Sequence, residues 1–553
     1  MPLPPKRNGR LLRGKQPTAS ESSIWEPLDS DKPPKLVPLE GEPLPAATAE
    51  PKPVEVPVPA PLPEPASPRV EIPVVIAAPA KTPAALRPQP LTKPSPLEIA
   101  EALTSQIGPG KVDLSAAVLA SHAGDKWYAS HEPDVVVFPE STADVSAVMA
   151  YAHKYRVAVT TRGAGFGYVG GCVPIDGGIV LSTVRMNRIL EISPADGVAV
   201  VQPGVITAEL QRAAHAVGWE YPPDPASLKD CSIGGNIATN AGGPRCLKYG
   251  VTRQYVLGLE VVLVNGRVMR TGGRLHKNKT GFDLCGLFTG SEGMLGVVTE
   301  ATLRLIPKPA SRAMLAAVFP DFAVAAAAVQ TVLNSGHLPS ALEITDAFTL
   351  GAARKRLGPD VFPPGDAYLI VEIDGRPTAV ASELAELHTL LLSTGASHLE
   401  LALDEEDCER IWQLRREFSY SLRDTGLTKL NEDIVVPRSK LVDLVNFARH
   451  LQTETGIPIA CFGHAGDGNI HTNLMVADYH DPLIREKADA ALDILFHWIL
   501  ANGGAITGEH GVGLAKKPWI REALGEASFA VHRSLKRTLD PHGILNPGKF
   551  LDP

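Results

Sequence analysis

Two short clusters in the C-terminal third of the chain carry residue types suited to metal and proton chemistry. The first reads His464-Ala-Gly-Asp-Gly-Asn-Ile-His471, two histidines seven residues apart around the turn-forming Gly466, Asp467 and Gly468. The second reads Gly508-Glu-His-Gly-Val-Gly513. Together they offer His464, His471, Glu509 and His510 as nitrogen and oxygen ligands or bases, with no cysteine among them. Two histidines and one carboxylate suit Zn, Mn or Fe as a divalent ion. Ile470, Thr472 and Leu474 alternate with His471, Asn473 and Met475, which predicts a strand after the glycine turn with His471 and Asn473 on one face. Histidines beside glycines also line ordinary turns, and the second cluster is what weighs against that simpler account.

The elements that must hold these clusters belong to a chain of 553 residues, too long for one hydrophobic core. Its 44% hydrophobic and 21% charged residues are normal for a folded protein. A net charge of -8 without a basic field argues against nucleic acid as a partner. Six scattered cysteines without Cys-x-x-Cys point to neither a disulfide scaffold nor an iron–sulfur site. Neither a secretory signal nor a transmembrane run is visible. The expected setting is cytoplasmic, with peripheral contact at the inner face of a membrane left open.

Residues 1–95 are dominated by Pro, Glu, Lys and Ala, as in Pro53-Val-Glu-Val-Pro-Val-Pro-Ala-Pro-Leu-Pro63, and are expected to be an extended, disordered tail that serves as spacer, docking arm or passive linker. Folded character begins with a helix over 97–107. The strand 134–138 must end at Pro139, and Ser141 or Thr142 then caps a helix whose Val145, Val148, Met149 and Ala152 repeat at helical spacing. A strand over 157–161 feeds into Arg162-Gly-Ala-Gly-Phe-Gly-Tyr-Val-Gly-Gly171.

Five glycines in ten positions suit backbone N–H groups brought close to a phosphate-bearing ligand. The loop lacks the Gly-Lys-Ser/Thr ending of a P-loop and the spacing of the dinucleotide fingerprint. Small and amide side chains return in Tyr221-Pro-Pro-Asp-Pro-Ala-Ser227 and Ser232-Ile-Gly-Gly-Asn-Ile-Ala-Thr-Asn-Ala-Gly-Gly243, and again in Gly290-Ser-Glu-Gly-Met-Leu-Gly-Val-Val-Thr299. Set between strand-like segments at 198–202, 257–264 and 297–305, these stretches predict one α+β domain wrapped around one extended ligand. From residue 310 the pattern changes. A helix over 318–332, strands over 341–344 and 368–373, a helix over 379–392, and a helix carrying Trp412 to Arg416 form a second α+β domain. It continues through a strand over 434–436 and a helix over 484–500. A last helix spans 522–539. The resulting division is 1–95, 96–309, 310–505 and a segment 506–553 returning to the first domain.

In these ordered motifs, residues from about Asp113 to the end resemble the FAD-linked oxidoreductases of the D-2-hydroxy-acid dehydrogenase group. That group includes D-lactate dehydrogenases, the flavin subunit of glycolate oxidase and D-2-hydroxyglutarate dehydrogenase. The resemblance implies an α+β, two-domain flavoprotein. Its FAD-binding domain would be of the vanillyl-alcohol-oxidase (PCMH) type, and its substrate-binding domain would carry an antiparallel sheet. It assigns FAD contacts to Pro139, to Arg162, Gly163, Ala164, Gly165, Phe166, Gly167, Gly170 and Gly171, and to Pro223, Asp224 and Ser227. Further contacts fall on Gly234, Gly235, Asn236, Thr239, Asn240, Gly242 and Gly243, then on Glu292, Gly293, Gly296, Val297, Val298 and Asn546. The loop 162–171 has no histidine for a covalent flavin link, so non-covalent FAD is expected; the aromatic pair Phe166 and Tyr168 interrupts the small residues common there.

The same resemblance makes His464, His471 and Glu509 metal ligands and places Asn473 near the substrate. The metal would bind the substrate's hydroxyl and one carboxylate oxygen as a Lewis acid, and His510 would accept the hydroxyl proton as the α-hydride moves to flavin N5. Arg415 would clamp the carboxylate, with Ser419 one turn on along the same helix face, although Arg410, Arg416 and Arg423 compete for that role. Some relatives place a lysine two residues before the pocket aspartate; here that position is Asn431, and Lys429 precedes it by two. The expected reaction is oxidation of a small D-2-hydroxy acid, D-lactate or glycolate, to the 2-keto acid, with D-2-hydroxyglutarate or a larger hydroxy acid as alternative. The electron acceptor (quinone, cytochrome, flavoprotein or iron–sulfur subunit) and a homodimer are left open. A metal-dependent hydrolase would leave the three glycine-rich stretches idle. A non-catalytic scaffold would carry no flavin and would tolerate loss of His510.

Overall fold

The computed structural model describes residues 93–551. The proline-rich tail, apart from residues 93–95, lies outside them. The described residues belong to one compact unit. The helix Pro96–Ile107 starts at Ser95, whose side chain and Glu98 cap each other's backbone, with Pro96 at the first helical position. The helix Thr142–Tyr155 is capped by Ser141, which accepts from the Asp144 amide. Its Val145, Val148, Met149 and Ala152 are buried together with Val135, Val137, Ile179 and Leu181. The strands Val135–Val137, Ile179–Ser182 and Val159–Arg162 run parallel in a four-stranded sheet that ends on Val112–Asp113. A five-stranded antiparallel sheet follows, in the order Ile189–Ser193, Val198–Val201, Val297–Arg304, Val256–Val262 and Val268–Gly272.

Beyond residue 310 seven antiparallel strands form one sheet. Their order is His398–Ala402, Ser311–Phe319, Ala367–Gly375, Ala341–Thr345, Ile459–His464, Asn469–Val476 and Thr428–Val435. One face is covered by the helices Phe322–Asn334, Pro377–Ser393, Leu441–Thr455 and Pro482–Ala501, and the other by Ala347–Leu357 and Glu405–Arg423. The expected helix over 318–332 is corrected here. Val318 and Phe319 end a strand, and the helix begins only after Asp321 caps it by accepting from Ala323 and Val324. Leu315, Ala317 and Phe319 face one core while Met314, Ala316 and Val318 face the other, so this strand shows no polar alternation. The expected last helix is two, Ile520–Leu524 and Glu526–Leu539, separated by Gly525 at φ 71°.

After the second helix the chain returns to the parallel sheet. Leu545 bridges Val159, and Ile544 and Leu545 are buried among the residues of that core. The buried Lys536 ties this return in place, donating to Asp540 and to the carbonyls of Met294 and Leu545.

Candidate active site

A cavity of about 740 Å³ lies between the glycine-rich stretches and one face of the seven-stranded sheet. On the sheet side, register explains which side chains meet. His464 lies opposite Glu343, and Asn469, opposite His464 on the other side, is two residues before His471 on the same face. His471 lies opposite Asp433 on the next strand. His464 Nδ1 therefore sits 2.6 Å from Glu343 Oε1, while its Nε2 is 3.7 Å from Glu509 Oε1. His471 Nε2 is 3.5 Å from the same oxygen. His464, His471 and Glu509 can each place one ligand atom within 4.8 Å of the other two.

This set fits a divalent ion. Glu343 fixes the His464 ring from behind and leaves Nε2 facing Glu509, the arrangement that orients metal-bound imidazoles. Glu509 Oε2 and His471 Nδ1 are buried without a hydrogen-bond partner. Burial pushes the His471 imidazole down to about 3, keeping it neutral. Burial also opposes charge on His464, yet Glu343 and Glu509 hold it well above the usual histidine range. Glu343, despite complete burial, is drawn down to about 2 by His464 and Arg415.

Glu509 and His510 lie in a segment without regular structure, and one buried carboxylate organises it. Asp433 Oδ2 accepts from Thr507 Oγ1 and from the backbone N–H groups of Gly508, Glu509 and His510, at 2.9 to 3.0 Å. Its Oδ1 accepts from Asn469, and Lys516 Nζ donates to its carbonyl. Against the cost of full burial, His510 and Lys516 hold the Asp433 carboxyl well below its usual range. Farther along, Glu292 accepts from Val512 and Gly513 at 2.7 and 2.8 Å, with burial raising its carboxyl to about 7.

The helix Glu405–Arg423 supplies Arg415, Arg416, Ser419 and Arg423 to the cavity wall. Arg415 Nε donates to Glu343 at 2.6 Å, and its terminal nitrogens make no hydrogen bond among the described residues. Arg416 pairs with Glu409, and Arg410 is paired with Glu400 away from the cavity. Lys429 Nζ donates to Ser419 Oγ at 2.9 Å. Burial, then Arg423 and Arg415, lower the Lys429 ammonium to about 7. Asn431 lines the cavity with an unpartnered Oδ1. Its register partner Asn473 does not line it, being fully buried with its amide donating to the carbonyls of Ala460 and His471.

The opposite wall is mostly backbone. Gly163, Ala164, Gly165, Phe166, Gly167, Gly171, Asp224, Ser227, Gly234, Gly235, Asn236, Thr239, Glu292, Gly293, Gly296 and Val298 line it. Ser232 caps the helix Ile233–Thr239, and a Cβ on Gly163 would stand 2.5 Å from the Ser232 hydroxyl. Backbone comes this near the cavity only because no side chain intervenes, which suits a long phosphate-linked ligand. Pro139, Arg162, Gly170, Pro223, Asn240, Gly242, Gly243, Val297 and Asn546 are not among the residues lining it. Several of them support it. Arg162 donates to Gly124 O and Cys172 Sγ, the Pro223 carbonyl accepts from Gln211, and Asn546 joins the carbonyls of Gly171 and Glu292.

Sequence reasoning did not foresee Glu343 and Arg245, nor the parts played by the pocket aspartate Asp433 and by Trp412; of these, Arg245 ties the two walls together. Arg245 donates to Asp224 and, through two nitrogens, to Glu372, which also accepts from Trp412 Nε1. Buried carboxylates inside apolar strands were the available signal for Glu343 and Glu372.

Comparison with known proteins identifies the family. A family model described as the C-terminal domain of FAD linked oxidases matches residues 308–550, and an FAD binding domain model matches 133–272. Glycolate oxidase subunit GlcD of Bacillus subtilis is 38% identical over 82% of this chain and 96% of its own length. A D-lactate dehydrogenase of Anaerostipes hadrus is 34% identical over 80% of this chain and 95% of its own. Among solved structures, p-cresol methylhydroxylase shares the fold at a TM-score of 0.70 and 19% identity, covering 82% of this chain and 97% of that one. The chain is thus a two-domain α+β flavoprotein of the PCMH type and belongs to the FAD-linked oxidase family of FAD-dependent oxidoreductases.

Proposed function

We propose that this protein oxidises a small D-2-hydroxy acid, D-lactate or glycolate, to the 2-keto acid, using non-covalent FAD and a divalent metal. The observation that carries the reading is the meeting, in one cavity, of the glycine-built wall, the His464–His471–Glu509 set and the Arg415 guanidinium. The names of the relatives, glycolate oxidase subunit and D-lactate dehydrogenase, supply the substrate class. The proposed division is an FAD-binding part over 96–309, a substrate part over 310–505 and a returning segment over 506–553.

Bound FAD supplies a two-electron acceptor for the substrate's α-hydrogen. A divalent ion held by His464, His471 and Glu509 supplies a Lewis acid for the hydroxyl. The chain's own groups do the rest. Arg415, with Nε fixed on Glu343, offers its two terminal nitrogens to the carboxylate. Ser419 and Lys429 border the same space, and Asn431, with its free Oδ1, takes the place expected of Asn473. His510, held neutral by burial, accepts the hydroxyl proton. D-2-hydroxyglutarate is the second reading, and the Lys429–Arg423 pair beyond Arg415 favours it by offering charge for a second carboxylate.

The test is anaerobic mixing of the metal-loaded protein with D-lactate, L-lactate, glycolate and D-2-hydroxyglutarate, following flavin absorbance near 450 nm. Bleaching by D-lactate or glycolate, lost on chelation, supports the reading. Bleaching by none of them, or by the L-isomer alone, overturns it. Yellow supernatant after acid precipitation is expected for non-covalent FAD, whereas colour retained in the pellet contradicts that part.

A further inference from the structure

Among the described residues no hydrogen bond fixes the His510 side chain. Its Nδ1 is buried without a partner, 3.9 Å from Asp433 Oδ2, and its Nε2 is 3.7 Å from Glu509 Oε1. Both distances exceed hydrogen-bonding range. Asp433 holds the His510 backbone only. The ring is instead held by stacking. His471 stacks on it with centroids 5.5 Å apart and planes 20° apart. Tyr168 stacks on it as well, 5.3 Å away at 29°. Tyr168 comes from the glycine-rich wall, and its hydroxyl accepts from the Arg423 guanidinium at 3.1 Å, at the end of the helix that carries Arg415. Three separate parts of the chain therefore meet on this tyrosine.

We propose that Tyr168 is a positioning residue for the oxidation, its ring stacking on the His510 imidazole and, with His471, holding it in the attitude needed to receive the substrate's proton, and that Arg423 keeps Tyr168 in place. The proposal rests on the assignment of His510 as base. A general base works only when its acceptor atom is within hydrogen-bond reach of the proton. An imidazole without hydrogen bonds is free to rock unless ring contacts restrain it. An aromatic amid glycines costs the loop some of its small-residue character, and the role on His510 accounts for its presence at 168.

The experiment is a kinetic comparison, with saturating dye acceptor, of Tyr168→Ala, Tyr168→Phe, His510→Asn and the double variant Tyr168→Ala/His510→Asn. Flavin content and visible spectrum are recorded for each. Tyr168→Ala should lower kcat by about 10- to 100-fold while moving the KM for the hydroxy acid far less. Tyr168→Phe keeps the ring and should recover most of that loss. The double variant should turn over no more slowly than His510→Asn alone, because a ring that positions His510 has nothing to position once the imidazole is gone. Losses that multiply in the double variant, or a Phe variant as slow as the Ala variant, overturn the proposal. If Tyr168→Ala fails to hold flavin, Arg423→Leu in the intact loop gives the same comparison, with a smaller kcat loss expected that is absent in the His510→Asn background and multiplication again overturning it. Turnover by His510→Asn at the wild-type rate would instead sink the base assignment, a result distinct from either.

Discussion

The two walls of the cavity solve the same problem with different materials. On the glycine-rich side the wall is backbone, and what matters is the side chains that are missing; a Cβ on Gly163 would collide with the helix cap at Ser232. On the sheet side the wall is side chains, and register decides what meets what, as with His464 opposite Glu343 and His471 opposite Asp433. The first wall is made of three short contiguous stretches, and the second is assembled from single residues between 343 and 510. Damage to the first should act through flavin affinity, and damage to the second through chemistry or through collapse of the segment 507–513.

Asp433→Ala should have the largest effect. It removes a buried carboxylate that accepts from four groups of residues 507–510 and leaves Lys516, itself buried, without its charge partner. Breaking a buried charge pair typically costs about 3–5 kcal/mol. Denaturant unfolding should show a loss on that scale, and metal content should fall with it although no ligand has been touched. A stable variant with full metal would mean that the segment is held mainly by Glu292.

Next come substitutions on the sheet wall that leave the fold alone. His464→Ala and His471→Ala should each abolish metal retention, measured by elemental analysis, while flavin absorbance persists. His510→Asn should keep both metal and flavin and lower kcat by about 10²–10⁴. If metal is lost from His510→Asn and retained by Glu509→Gln, the two neighbours have exchanged roles.

Gly163→Ala tests the opposite wall. Forcing a methyl against the Ser232 hydroxyl should cost about 1–3 kcal/mol. The cost should appear as weaker FAD retention on dilution, with the kcat of the flavin-loaded fraction unchanged. A drop in kcat without a change in FAD affinity would erase the distinction between the walls.

That distinction also explains what the sequence disclosed. The glycine-rich stretches and the two histidine clusters are contiguous, so residue type and spacing revealed them. Helices with one apolar face, such as Thr142–Tyr155, were legible from period alone. The supports were not. Glu343 reaches His464 across 121 residues and Asp433 reaches His510 across 77, through strand pairings that no local pattern encodes. Ser311–Phe319 was read partly as helix because both its faces are buried, which leaves a continuous apolar run with no alternation. The decisive signal there was Asp321, a helix cap two residues after the strand. Asn473 does not line the cavity, its amide being spent on the carbonyls of Ala460 and His471, whereas its register partner Asn431 does.

The smallest effect expected is a pH dependence seated on Lys429, a cavity lysine on the sheet wall. The groups around it are Ser419, Arg415 and Arg423 on the facing helix and His510 from the returning segment; the buried carboxylate Glu343 of the same wall is engaged by Arg415 and His464. Burial and the two arginines lower its ammonium to about 7. The charge is therefore present below pH 7 and lost above it. An anionic substrate should bind more tightly on the acid side, and the KM for the hydroxy acid should rise by about two- to fivefold between pH 6 and pH 8. Lys429→Met should flatten that rise, and Lys429→Arg should hold the low-pH KM throughout. Stability should move in the same window with the sign fixed by linkage. The unfolded chain keeps the lysine protonated up to its ordinary value of 10.5, so it binds more protons than the folded chain between about pH 7 and 10.5, and Lys429's contribution grows as pH rises through that range. Denaturation midpoints of the wild type and Lys429→Met should converge toward alkaline pH and separate toward neutral, with Lys429→Met the more stable near pH 7. A wild type that is the more stable of the two near neutrality would mean that the ammonium is paired, and that the sheet wall holds a carboxylate near Lys429.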